Sequence, residues 1–275
     1  MKALALTPSA HKAALARWAL LAEAELTPKP ALVDRRSSGA HGDMDLALMR
    51  SSAAALEPWF AKMAALTGPR NGDFRAALGL LGREAESAMF AATGGINTHK
   101  GAIWALGLLL AAPDAPQAEA LLASAGALAQ LADPLSPALP PSHGEQAMAR
   151  YKLGGARAQA QAGFPQIRDQ GLPALRQSRA RGDSEQTARL NSLLAIMTAL
   201  SDTCVLHRAG LKGLDAMQQG AQAVLEAGGA GTLAGRRALK RLDATLLALN
   251  ASAGGAADLL AATLLTDKLC PEQEG

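Results

Sequence analysis

The densest concentration of chemistry-capable side chains lies in Gly94-Gly95-Ile96-Asn97-Thr98-His99-Lys100-Gly101. An amide, a hydroxyl, an imidazole and an ammonium group stand between glycines, directly before the apolar run Ala102 to Ala112. A helix beginning there presents unpaired backbone N–H groups and the positive end of its macrodipole, a natural seat for phosphate. A plain cap at Asn97 or Thr98 would leave His99 and Lys100 facing solvent; as surplus donors at a helix entrance they favour anion binding. The spacing therefore points to an enzyme that handles a polyphosphate.

Three further clusters could work with it. Asp34-Arg35-Arg36 and Gly39-Ala40-His41-Gly42-Asp43-Met44-Asp45 gather carboxylates, an imidazole and two guanidiniums around a glycine-bearing loop. Hard Mg²⁺ takes carboxylate oxygens together with substrate phosphates. Asp43 and Asp45, two apart at a helix start, share one ion only if the turn is irregular; either could instead cap the helix. Ser201-Asp202-Thr203-Cys204-Val205-Leu206-His207-Arg208 interrupts a leucine-rich stretch with polar groups that need partners or a ligand if buried. A capped helix–helix junction is the plainer alternative. Ala253-Gly254-Gly255-Ala256-Ala257-Asp258 sets two glycines and a carboxylate at another helix entrance, where Asp258 could equally serve the dipole. A weaker patch, Tyr151 to Arg157, offers glycines and two cations for a second phosphate or for a turn.

The elements that must position these groups are helices. Apolar residues make up 49% of the 275 but aromatics only 3%, so Ala and Leu do the packing and strand-favouring residues are scarce. The reading is all-α: a single compact domain over 1–275 of roughly ten helices. Helices are expected over residues 9–26, 43–66, 73–92, from the opening motif to 112, and 115–131, separated by Pro and Gly breaks. Residues 132–144 hold four prolines in thirteen positions and form either a mobile lid or a connector. Leu190, Leu193, Leu194, Met197 and Leu200, then Leu239, Leu242, Leu246 and Leu249, repeat at the spacing of a buried helical face.

The remaining features exclude more than they assign. A formal charge of +3 and a pI near 9.0, with Lys and Arg reading as scattered, disfavour nucleic acid and suit a pocket for one multiply charged anion. Cys204 and Cys270 stand far apart without a CxxC, which fits a reducing cytoplasm. The apolar start Met1 to Leu6 is too short for a signal peptide, and Gly101 to Ala112 falls short of the roughly 20 residues that span a bilayer, so no membrane role is expected. No GxxxxGK[ST], HExxH or GxSxG occurs.

Taken together, Glu25 to Asp34, Gly39 to Asp45, Thr93 to Gly101, Asp202 to Arg208 and Gly254 to Leu260 resemble, in order, the triphosphoribosyl-dephospho-coenzyme A synthase family. Ala31 replaces an expected glycine and Cys204 an expected asparagine. The form Asp34-Arg35-Arg36 leans to the malonate decarboxylase branch over the citrate lyase branch. The resemblance implies transfer of the triphosphoribosyl group of ATP to the 2′-hydroxyl of 3′-dephospho-coenzyme A, with loss of adenine. It also implies a downstream transferase that loads the product on an acyl carrier subunit; homo-oligomerisation is left open.

On that basis Lys29, Arg35, His99, Lys100 and Arg208 are assigned to phosphate, with His41, Asn97, Thr98 and His207 in the substrate site. Glu25, Asp43 and Asp202 are candidates for proton transfer, and Asp43, Asp45, Asp202 and Asp258 for Mg²⁺. The same residues would serve a helical Mg²⁺-dependent hydrolase of a nucleotide or ADP-ribosyl bond. A non-catalytic helical adaptor would use them as caps and interfaces.

Overall fold

In the computed structural model, residues 6–137 and 140–272 are described, without the side chain of His143. The expectations for Met1 to Ala5 and for Ala138 and Leu139 of the Pro-rich loop fall outside them. Twelve α-helices form among the described residues, two more than expected. They are α1 Pro8–Ala24, α2 Leu46–Ala64, α3 Gly72–Ala92, α4 Lys100–Ala111, α5 Ala118–Gln130 and α6 His143–Tyr151. Then follow α7 Ala156–Gln161, α8 Leu172–Ala180, α9 Glu185–Ala199, α10 Thr203–Glu226, α11 Leu233–Ala248 and α12 Gly254–Leu269. A π-helical turn, Ile167–Gly171, leads into α8.

Local chemistry sets most helix starts. Thr7, Asp45, Asn71, Ser142, Ser184, Asp202 and Thr232 each accept a backbone N–H of the first turn with the side chain. Asp45 therefore caps α2, and Asp43 stays in the loop before it, three residues outside the helix expected from 43. Pro8 at the first position of α1 supplies a preset φ where no N–H is needed.

Packing decides which helices are central. In α4 every residue from Ala102 to Ala111 except Trp104 is buried, and in α12 every residue from Leu259 to Asp267 is. Helices apolar all round belong inside. α9 joins them, with Leu190 to Met197 buried. α12 packs on α1, α4 and α9; α2 and α3 pack on α4; α10 lies against α9 and carries α11 on its outer side. One contiguous apolar cluster runs from α1 to α12. Among the described residues no single helix is long and apolar enough to cross a membrane.

Candidate active site

The helix starts of α4, α10 and α12 meet. Asp202, the cap of α10, accepts Cys204 N at 2.8 Å and Val205 N at 3.3 Å, and its other oxygen accepts Ala256 N of α12 at 2.9 Å. One carboxylate thus ties two helix N-termini together. Burial pushes the Asp202 pKa up, against backbone N–H groups that favour its ionised form. Asp258, in the first turn of α12, faces the backbone at the start of α4, where the Ala102 N–H favours its ionised form. A Cβ built on Gly101 would lie 2.1 Å from Asp258 Oδ2, so only glycine there lets this carboxyl approach. The anion seat at the entrance of α4 is taken by the chain's own Asp258.

These carboxyls line a cleft. Trp104, Phe164, Leu200 and Leu259 supply apolar walls, and among the described residues no Lys, Arg or His lines it. Burial pushes the Asp258 pKa well above the carboxylate range, and the charges of Glu23 and Asp202 push the same way. A carboxyl in that setting holds its proton at pH values where an ordinary aspartate has lost it. The Trp104 indole N–H has no partner.

A buried polar layer lies behind the cleft. Lys29 Nζ pairs with the Glu23 carboxylate and donates to Glu23 O at 2.8 Å. His99 Nδ1 lies 2.7 Å from Ser52 Oγ, which accepts from Thr98 Oγ1 at 2.7 Å. His99 Nε2 is buried without a partner. Complete burial, with Lys29 nearby, lowers the His99 pKa to about 3, so the imidazole is neutral.

The loop cluster forms a third group. His41 Nε2 lies 2.8 Å from Ser252 Oγ, and His41 Nδ1 lies 3.6 Å from Asp43 Oδ1. This looks like a Ser-His-Asp triad on paper. However, Arg208 Nη1 also donates to His41 Nδ1, at 3.3 Å. With Nδ1 accepting, Nε2 carries the proton and cannot take one from Ser252, the reverse of what a nucleophilic serine needs. Burial and the Arg208 charge lower the His41 pKa.

Several assigned residues stand differently from expectation. Lys29 is sealed inside by Glu23 rather than open to phosphate. Arg35 pairs with Glu25 at 3.2 Å and Lys100 with Glu86 at 3.0 Å. Arg208 is held by Asn250 and by the carbonyl of Ala40. His99 is buried and neutral, and so is not a cationic phosphate ligand. Burial pushes Glu25 up, but Arg50 and Arg35 outweigh it and hold its pKa below the usual value, which makes it a weak base. Asn97 accepts Lys100 N at 3.2 Å but does not cap α4, whose N-cap is His99; Asn97 and His207 are exposed, and Thr98 serves Ser52.

The four carboxylates assigned to Mg²⁺ do not form one centre. Asp202 and Asp258 face the cleft, Asp43 sits 62% exposed beside His41, and Asp45 caps α2. Among the described residues no three His, Cys, Asp or Glu side chains could hold a metal together. The physical reason is that caps and loop anchors must lie where their own backbone N–H groups are.

Sequence reading overlooked Glu23, Ser52 and Trp104. Glu23 carried a signal, an acid inside the apolar stretch Leu20-Leu21-Ala22-Glu23-Ala24. Trp104, one of three tryptophans, stood in the most apolar run of the chain. Ser52 carried none.

A model of the CitG family, ATP:dephospho-CoA triphosphoribosyl transferase, matches residues 9–274. A protein of Pseudomonas savastanoi pv. phaseolicola is 58% identical, covering 98% of this chain and 97% of its own. Proteins of Azotobacter vinelandii and Pseudomonas aeruginosa are each 57% identical, covering 94% and 93% of this chain and 90% and 89% of their own. All three bear the name probable 2-(5''-triphosphoribosyl)-3'-dephosphocoenzyme-A synthase. No solved structure matches. With its helix starts converging on a carboxyl-lined cleft, and with nearly its whole length matched, the chain belongs to the ATP:dephospho-CoA triphosphoribosyl transferase family.

Proposed function

We propose that the cleft between α4, α10 and α12 is where this transferase joins the triphosphoribosyl group of ATP to the 2′-hydroxyl of 3′-dephospho-CoA and releases adenine. Asp258 carries the proposal. Its raised pKa lets it present a proton to the departing adenine, the step that protonation eases most. Positive charge builds on the ribose as the base leaves, as in glycoside cleavage, and the like-charged surroundings of Asp258 favour it. The proton that the 2′-hydroxyl gives up replaces the one carried off by adenine, so the proton count closes over a turnover. Trp104 borders the cleft as an apolar wall for the adenine. Asp202 positions the helix starts and is not the proton donor, because its oxygens are already bonded.

Mg²⁺ enters, on this reading, with the triphosphate of ATP as part of the substrate, where one or two carboxylates and waters suffice. The Asp34-Arg35-Arg36 form supports the malonate decarboxylase branch, with a cytoplasmic transferase loading the product on a carrier subunit.

The test is incubation with ATP, Mg²⁺ and dephospho-CoA, followed by mass spectrometry for adenine and the adduct. Asp258→Asn should lower turnover about 10²-fold or more with the helical circular dichroism intact. Near-normal turnover in Asp258→Asn sinks the assignment, and adenine formed without acceptor would show a hydrolase.

A further inference from the structure

Two nucleotides bring two polyphosphates, yet among the described residues the cleft has no cation on its walls. Lys29, Arg35, Lys100 and Arg208 are each engaged by internal partners. Part of the unengaged positive charge among the described residues lies on α11. The side chains of Arg236, Arg237, Lys240 and Arg241 on α11 are exposed and make no ion pair, hydrogen bond or ring contact with the described residues. The run Arg236-Arg237-Ala238-Leu239-Lys240-Arg241 contradicts the reading of Lys and Arg as scattered.

The four are not equivalent. Arg236 and Lys240, one helical turn apart, line a groove between α11 and the turn Pro28-Lys29-Pro30. Arg36 enters from the other side, fixed by Asp34 at 2.8 Å and by the carbonyl of Lys29 at 3.1 Å. The one acid in the groove is Asp243. It accepts Ala31 N at 2.8 Å with one oxygen, and its other oxygen stands 3.9 Å from Arg36 Nη1. Arg237 and Arg241 lie one position further round the helix and do not line the groove. A solvated helix face ordinarily alternates sign, because like charges four residues apart repel. Here both i, i+4 pairs are like-charged, and one of them opens on a concavity with a third, anchored guanidinium.

We propose that this groove is a polyphosphate subsite, in which Arg236, Lys240 and Arg36 bind the triphosphate of ATP or the diphosphate of dephospho-CoA. Guanidinium forks match phosphate oxygens in pairs, and the lysine adds a point charge. The proposal rests on the transferase reading and names where one of its two substrates is gripped. The turn that walls the groove also carries Lys29, whose partner Glu23 raises the pKa of Asp258, so the groove and the cleft share one structural support.

The experiment compares Arg236→Ala with Lys240→Ala, as a double variant, against Arg237→Ala with Arg241→Ala, which removes the same charge outside the groove. KM for ATP and for dephospho-CoA is measured separately, and tripolyphosphate and pyrophosphate binding is followed by calorimetry. The groove pair should raise KM for one nucleotide about tenfold or more, with kcat within about twofold, while the control pair leaves both unchanged. The nucleotide whose KM moves names the source of the polyphosphate. Equal effects in the two pairs would show a diffuse field and overturn the subsite, as would unchanged KM values in the groove pair. If the wild-type protein forms no adduct, the transferase reading fails by itself. Polyphosphate binding then decides the groove: binding lost in the groove pair sustains it, and no binding to the wild type overturns it.

Discussion

Lys29 and Glu23 face each other inside the protein, with 1% and 4% of their side-chain surface exposed. Two charges taken out of water are tolerated because each neutralises the other and Lys29 also bonds the Glu23 carbonyl. Removing one partner leaves the other buried and uncompensated. Lys29→Met should therefore lower the unfolding free energy by about 3–5 kcal/mol in urea titrations. A lysine that only gripped phosphate would instead leave stability unchanged and raise KM alone. The proline on either side explains why the motif could be read as functional. Those prolines hold the backbone extended, and an extended segment aims its side chain the same way whether the target is a ligand or a buried carboxylate.

At the scale of elements, the site is a junction of helix starts, and small residues let it close. Alanine is the better helix former by about 1 kcal/mol, so Gly101→Ala in an isolated α4 would stabilise it. In the protein the new Cβ would stand 2.1 Å from Asp258 Oδ2 and force the carboxyl away from Ala102 N–H. Gly101→Ala should then lower turnover at least as much as Asp258→Asn, with the helical circular dichroism intact; activity near that of the wild type would show that this contact is not needed. The loop before α2 carries the opposite case. Ala31, where the family resemblance leads one to expect glycine, sits at φ 54°, in the left-handed region that favours glycine. Its N–H bond to Asp243 and its carbonyl bond to Ala40 hold it in place.

For the molecule as a whole, His99 and Asp258 shape stability against pH in opposite directions. His99 has an unfolded pKa near 6.5 and a folded one of about 3. Its contribution is present above pH 6.5 and is lost as pH falls from there towards 3, because the unfolded chain takes up the proton first. Asp258 is raised, so its contribution is full below the unfolded carboxyl pKa of about 4 and is lost as pH rises through the folded value. Denaturant midpoints measured across pH should show a flatter acid limb in His99→Asn, and Asp258→Asn should lose the decline on the other side. Unchanged slopes in both variants would mean that neither group is titrating as its burial demands.

Sequence alone determined the all-α class, because Ala and Leu dominate and strand formers are few. It also determined most helix starts, because capping residues act on neighbours two or three positions away. The motif segments and their order were equally legible, and they carried the family. Tertiary structure decided what each charged group does. Whether Lys100 meets Glu86 or a phosphate, or whether Asp202 caps one helix or ties two, depends on partners beyond the reach of local patterns. The joining of Asp258 to Gly101, and of α11 to the Pro28-Lys29-Pro30 turn, has the same origin. Local patterns specify which groups are available, whereas only packing specifies which are already neutralised and which remain free for a substrate.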